Sequence, residues 1–479
     1  MALTLLIGVV FLPLVSGAVL ALVPSHRVAA WVNVAASALT FVGACALFGH
    51  GPATSPLFLL DDFNVYLIVL TAFVGLTTAI FSATYIAHEV ERRKLNPLAL
   101  RFYHAMYQGF MFTMLLALAA NNLGLMWVAV EGATLTTVLM VSLYRTPESI
   151  EAAWKYFILC GVGIALALFG TILLYLGAQP VVGGGADAMT WSVLHANMAG
   201  INPDILNLAF VFLLIGYGTK VGLAPLHAWL PDAHAEGPTP ISAVLSGLLL
   251  NVALYAVLRF KMLLAANGAA IAPGPLMIAM GLGSLVLAGL MLYRRRDIKR
   301  FFAYSSIEHM GIITFAFGVG GPLANFAGLL HMAMHSLTKS AIFFAVGHIT
   351  QAKGTQNLAE IRGLTASHPA LGWALVAGVL AIAGLPPFGV FMSEFLVVTS
   401  TFASQPLLAL PFVAGLLLAF GALVLRLQGM AFGEPVGENA RVQASMVPMF
   451  VHLALVLVAG LWLPPPLVAW FQHVAGLLG

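Results

Sequence analysis

Apolar positions in this chain come in long unbroken runs, not in the alternation of a strand or the one-sided stripe of a soluble helix, and proline, glycine or charge closes each run. The runs lie near residues 2–24, 28–49, 63–87, 104–120, 122–143, 153–177, 204–226, 239–259, 271–292, 301–320, 323–350, 370–396, 406–428 and 446–470. A helix needs about 20 apolar residues to cross the hydrocarbon core of a bilayer. The pattern therefore predicts an all-α polytopic membrane protein of about fourteen transmembrane helices, one to fourteen in chain order. No basic residue precedes the first run, Arg27 being the first positive charge, so this run is expected to be an uncleaved helix and not a signal peptide.

Composition agrees. Of 479 residues, 61% are hydrophobic and 8% charged, with mean hydropathy +1.00, whereas about a quarter of a soluble chain is charged. Little is left for a large soluble domain. The excess of 20 Lys and Arg over 17 Asp and Glu gives no basis for nucleic-acid binding. Cys45 and Cys160 are too few for a disulfide framework, an iron–sulfur cluster or a thiolate metal site, so no cofactor or electron carrier is expected in this chain. Gly183-Gly-Gly185 lacks the Lys-Ser/Thr that completes a phosphate loop, and no Ser-His-Asp motif stands out.

The placement of charge adds orientation. Odd-numbered connections hold Arg27, Arg92, Arg93, Lys94, Arg101, Arg145, Lys155, Arg294, Arg295, Arg296, Lys299, Arg300, Lys353, Arg362, Arg426 and Arg441, whereas even-numbered ones hold only Arg259 and Lys261. The positive-inside rule then puts the odd connections in the cytoplasm and both termini on the outer side.

Lys220 and Lys339 fall within runs, where a central lysine costs about 2.5–3.5 kcal/mol on insertion scales. Glu131, in Trp127-Val-Ala-Val-Glu131-Gly, and Glu394, in Phe391-Met-Ser-Glu394, are placed similarly and must face protein or water. Run ten opens Tyr304-Ser-Ser-Ile-Glu308-His309, and run eleven carries His331, His335 and Lys339 at i, i+4 steps on one helical face. A stripe of titratable groups suits a proton path, since imidazole titrates near neutral pH. Static buried ion pairs are the plainer alternative. The spacing of His331 and His335 also suits Zn²⁺, but Lys339 opposes a cation and no Cys or nearby acid completes the set, so no metal is expected. His348, His452 and His473 read as lone histidines with structural partners.

Runs seven and twelve are interrupted, by Gly222-Leu-Ala-Pro225 and Gly384-Leu-Pro-Pro387. These breaks are five helices apart, an odd offset that reverses orientation, which predicts inverted repeats. The expected organisation is 1–100 for helices one to three, 101–262 for the first repeat (helices four to eight), 263–430 for the second (helices nine to thirteen) and 431–479 for helix fourteen.

The stretch Lys220-Val-Gly-Leu-Ala-Pro-Leu-His227-Ala-Trp-Leu-Pro-Asp232-Ala-His234-Ala-Glu236-Gly-Pro-Thr-Pro240 closely resembles the helix seven-to-eight signature of the antiporter-like proton-pumping subunits of respiratory complex I. Ser305 to Gly311 and Gly384 to Glu394 resemble the helix-ten and helix-twelve motifs of that family, and the likeness covers essentially the whole chain. Tyr144-Arg-Thr-Pro147 and Glu151 to Cys160 look most like the membrane subunits of group 4 nickel–iron hydrogenases, particularly the F-type component of hydrogenase-4. The resemblance implies a non-catalytic, proton-translocating subunit of an inner-membrane complex of bacterial type, whose partners are other membrane subunits of a hydrogenase or complex I-like assembly. It implies that Glu131 and Lys220 form the charge pair of a first half-channel, that His309 and Lys339 form a connecting axis, and that Glu394 is the terminal relay, with His227, His331 and His335 secondary. One departure matters: Asn251 stands where these relatives usually carry a bridging lysine. Alternatives within reach of the same residues are a multi-subunit cation/proton antiporter carrying Na⁺, a proton-coupled module for inorganic-carbon uptake, and a scaffold closed at Asn251.

Overall fold

The computed structural model describes all residues except 93, 94, 96, 439 and 443, and only the backbone of 97–101. The expected loop charges Arg93 and Lys94, and the side chain of Arg101, lie outside the described residues. The chain is almost wholly helical. In order come α1 (Ala2–Leu22), α2 (His26–Ala46), α3 (Asp62–Glu91), α4 (Pro97–Ala119), α5 (Leu123–Val141), α6 (Pro147–Val182), α7 (Trp191–Asn197), α8 (Pro203–Val221), α9 (Trp229–Glu236) and α10 (Thr239–Val244). There follow α11 (Leu250–Ala265), α12 (Gly274–Leu292), α13 (Ile298–Val319), α14 (Gly321–Lys353), α15 (Leu364–Ser367), α16 (Pro369–Ile382), α17 (Gly389–Ser404), α18 (Pro406–Ala431), α19 (Val447–Leu461) and α20 (Pro465–Leu477). A two-residue antiparallel pair, Ala53–Thr54 with Leu59–Leu60, is the one sheet among the described residues.

Each predicted run has a helix or helix pair, yet among the described residues ten helical segments are by themselves long and apolar enough to cross a membrane, or eleven with α19 and α20 taken as one span bent by 82°. Two of the uncounted runs fall short for physical reasons. Helix α13 is made polar by Ser305, Ser306, Glu308 and His309, and run twelve is split into α16 and α17, of 14 and 16 residues.

Polar residues start the helices where the sequence places them. Asp61 and Asn64 close a reciprocal capping box on α3, each side chain accepting the other's backbone N–H at 2.9 Å. Asn122, Thr146 and Asp297 cap α5, α6 and α13 with one bond each, their side chains accepting the N–H of Leu125, Ser149 and Arg300.

The connections sort into two ends. Odd-numbered connections meet one another: Lys155 reaches Asp232, Arg300 reaches Asp232 and Glu236, and Ile298 N–H donates to Gln356 O. Arg294, Arg296, Arg362 and Arg426 line one cavity of about 730 Å³ at this end. Even-numbered connections meet at the other, where Trp191 Nε1 donates to Arg259 O and Arg259 pairs with Asp61 at 2.7 Å. Helix α14 is the axis, with every residue from Ala324 to Lys353 buried. By contrast α1, α2 and α18 expose Val15, Trp31, Leu39 and Leu410, as lipid-facing helices do.

Both interrupted spans break alike. Gly222 and Gly384 adopt φ +80° and +67°, the left-handed conformation that a side chain resists. Leu223 N–H then donates to Gly218 O at 3.0 Å, and Leu385 N–H to Leu380 O at 3.1 Å, so the last turns close identically. A third irregularity lies between α10 and α11, where Leu245–Leu249 forms a π-helical turn.

Glycine also sets the spacing of α12 and α13. A Cβ on Gly281 would sit 2.6 Å from Phe315 N, and one on Gly311 would sit 2.6 Å from Gly281 O. Gly281→Val is therefore expected to wedge the pair apart and destabilise the protein by about 1–3 kcal/mol, read as a lowered thermal unfolding midpoint in detergent.

Candidate functional site

Two buried polar clusters contain most of the residues the sequence singles out. The first lies where α5, α6 and α8 pack together. Lys220, the penultimate residue of α8, is held inside because the chain breaks directly after it. Its ammonium donates to Thr134 Oγ1 and stands 5.1 Å from the centre of the Tyr156 ring. Thr134 in turn donates to Glu131 Oε2 at 3.1 Å. Thus Glu131 and Lys220 are joined through a hydroxyl, and among the described residues no direct ion pair links them. Glu131 is half-buried, between exposed Val128 and Leu135 on the outer face of α5.

The break beyond Lys220 turns into α9, whose polar residues have structural partners. Asp232 is bound by Lys155 at 3.4 Å and Arg300 at 3.2 Å, and Arg300 also reaches Glu236 at 3.3 Å. His234 is buried and stacks on Phe343, with ring centres 4.8 Å apart. His227 lies in the break itself, partly exposed, with its ring edge-on to Tyr304 at 6.1 Å.

The second cluster is built by α13, α14 and α17. His309 Nδ1 lies 2.9 Å from His331 Nε2 and 3.9 Å from Glu394 Oε1. His331 Nδ1 meets Ser393 Oγ at 2.9 Å, and His309 Nε2 faces Glu308 Oε2 at 3.7 Å. His335 packs against His309 with ring centres 5.8 Å apart. Lys339, two turns beyond His331, donates to Phe302 O at 3.2 Å, 5.9 Å from the centre of the Phe302 ring. His309, His331, His335 and Lys339 are fully buried, and the Glu394 side chain is 13% exposed.

The i, i+4 pair His331 and His335 does not gather at one point, because His331 turns towards His309 and Glu394. The acid that seemed missing is Glu394, carried to the histidines by the packing of α17 against α14. Glu308, Thr134 and Ser393 were not among the predicted site residues. Glu308 carried a readable signal, a carboxylate mid-span beside His309. Thr134 and Ser393 carried none, since hydroxyls are common in membrane helices.

Hydroxyl and amide groups adjoin the second cluster. Asn251 Nδ2 donates to Ser336 Oγ at 2.7 Å and Met332 O at 3.0 Å. Ser246 and Ser306 share a hydrogen bond of 2.7 Å, in the same turn of α13 as Ser305 and Glu308. Of the histidines read as structural, His452 is satisfied by Thr77 Oγ1 at 2.8 Å and Leu337 O at 3.0 Å. His473 pairs with Asp62 at 3.0 Å. His348 is buried with its ring edge-on to Phe81, the ring centres 5.2 Å apart.

Away from both clusters, Arg259 is buried among Trp191, Tyr255 and Phe63, donating to Tyr255 and Asp61. His195, which stacks on Trp191 in the connection outside the spans, is held below the usual histidine value, by burial first and then by the Arg259 charge.

A profile described as NADH:quinone oxidoreductase/Mrp antiporter, TM, matches residues 120–419. The hydrogenase-4 component F homolog of Methylacidiphilum infernorum is 60% identical over 471 residues, covering 98% of this chain and 99% of that protein. A chain of the archaeal membrane-bound sulfane sulfur reductase superposes with TM-score 0.89 at 22% identity, covering 99% of this chain and 97% of that one. A chain of respiratory complex I from Thermus thermophilus superposes with TM-score 0.83 at 22% identity, covering 99% and 100%. Below 25% identity these superpositions establish a shared fold.

Arg259→Met leaves Asp61 facing a site with no counter-charge, and a loss of about 3 kcal/mol is expected. Adding Asp61→Asn, which keeps the helix cap, should restore part of it. Thermal unfolding of both variants in detergent is the measurement.

Proposed function

The chain belongs to the NADH:quinone oxidoreductase/Mrp antiporter transmembrane family, and from that premise we propose that it translocates protons through its two buried clusters while redox chemistry in partner subunits drives the cycle. It is an antiporter-like membrane subunit of the hydrogenase-4 and complex I type. The observation that carries the reading is the gathering of Glu308, His309, His331, His335, Lys339 and Glu394 from three helices into the interior of a mainly apolar bundle. Ionisable groups so placed are costly and mark ion pathways.

In this reading Lys220 is the proton carrier of the first half-channel, and Glu131 sets its charge state through Thr134. Half-exposed Glu131, lying between lipid-type side chains, supports a neighbouring membrane subunit on that face. Lys339, His309 and His331 pass the proton on, and Glu394 delivers it outward. At Asn251 the amide cannot carry a charge, so the link between the half-channels runs through water held by Asn251, Ser336, Ser246 and Ser306. His227 and His335 are secondary members. The matched breaks at Gly222 and Gly384 support inverted repeats over 101–262 and 263–430, within fourteen crossings. The arginine-rich end faces the cytoplasm and both termini face outward, in a membrane of the bacterial inner type.

The test uses the intact complex in sealed vesicles, with a pH-sensitive dye following proton uptake as the redox reaction runs. Lys220→Ala, Lys339→Ala and Glu394→Gln are each expected to cut coupled uptake by about tenfold or more, as removal of a proton-transfer group does. Electron transfer should continue. Unchanged uptake in an intact complex overturns the reading, and uptake that vanishes without Na⁺ transfers it to cation exchange.

A further inference from the structure

The second cluster converges on a point, which a line of proton carriers does not require. The donor atoms of His309, His331 and Glu394 all fall within 4.8 Å of one another. A four-coordinate ion with nitrogen and oxygen ligands at about 2.0–2.1 Å places its donors about 3.4 Å apart. The separations here, 2.9 Å between the imidazoles and 3.9 Å from His309 to Glu394, bracket that spacing. Small side-chain shifts therefore close the set around one centre.

The outward atoms are arranged to match. His331 keeps its other nitrogen on Ser393 Oγ at 2.9 Å, and His309 keeps its other nitrogen towards Glu308 at 3.7 Å. Metal-bound imidazoles use their second nitrogen in this way, and such partners fix the ring and the tautomer. Glu308 stands beyond His309 where a carboxylate partner would sit, 3.7 Å away and outside hydrogen-bond distance. Access exists as well: a cavity of about 170 Å³ beside α18, lined by Glu308, Gly384, Glu394 and Phe420, reaches the carboxylate. A water has space there as a fourth ligand.

We propose that His309, His331 and Glu394 form a three-ligand site for a divalent transition-metal ion of the Zn²⁺ class. Two imidazoles and one carboxylate suit zinc and its neighbours, whereas Mg²⁺ and Ca²⁺ require six or more oxygens. Of the remaining ionisable groups in the cluster, Lys339 on α14 opposes the ion's charge, Glu308 on α13 favours it, and His335 on α14 packs against the His309 ring. An ion held by His309, His331 and Glu394 would occupy atoms that the proposed function uses for protons, but binding is measured without transport, so the two proposals fail separately.

The intact complex in detergent is titrated with Co²⁺, whose tetrahedral form has strong visible absorption. One tetrahedral Co²⁺ per chain is expected, displaced by Zn²⁺ and untouched by Mg²⁺, and X-ray absorption of the Zn²⁺ form should show histidine scattering. His331→Gln and Glu394→Gln should weaken binding by tenfold or more at unchanged elution volume. Ser393→Ala should weaken it by about 10–100-fold, the usual cost of losing an outer partner. His452→Gln, a buried histidine elsewhere, should retain full affinity. The weak spectrum of octahedral Co²⁺, no binding, or binding that survives both ligand substitutions overturns the proposal.

Discussion

Removing a polar group from water inside a bilayer is costly, and a group so placed must find its partner within the protein. That constraint organises this chain. Helix α14, with three histidines and two lysines along its length, is tolerable only at the centre, and the other helices enclose it. The lipid-type residues of α1, α2 and α18 form the outside of the same arrangement. Where the backbone departs from the helix, at Gly222 and Gly384, the freed groups are satisfied inside the bundle: Ala224 N–H donates to Ser284 Oγ at 2.8 Å.

Much of this was legible in the residues. Run length marked the helices, and glycine with proline marked both breaks, because each signal is local. The buried ionisable residues were legible as well, since charge within an apolar run is conspicuous at any position. Partnership was not. Glu394 and His331 are separated by most of two helices in sequence, and only the packing of α17 on α14 brings them together. Similarly, a direct Glu131–Lys220 pair was the simple expectation, but a threonine three residues from Glu131 on the same helix takes the place between them. Spacing along one helix reveals which residues share a face; it carries no information on which face of another helix meets it.

The two clusters differ in their surroundings. The second is closed on nearly all sides, with His309 and His331 hydrogen-bonded to each other at its centre. The first is open at Glu131, on the surface of α5, and its middle member is a hydroxyl that both donates and accepts. A hydroxyl can reverse its hydrogen bond without moving its oxygen. Lys220 and Glu131 can thus influence one another while their separation stays constant, and whatever lies against α5 affects both.

The π turn at Leu245–Leu249 has a geometric consequence. Asn251, Tyr255 and Arg259 follow it at four-residue intervals, and each finds a distant partner: Ser336, Leu118 O and Asp61. One residue of an α-helix corresponds to a rotation of about 100°. Deleting a single residue from that wide turn would swing all three side chains off their partners together, from mid-membrane to the far end. The length of this segment is therefore as much a part of the design as its composition, and an insertion or deletion here changes the angular phase of a whole half-span while leaving its apolarity untouched.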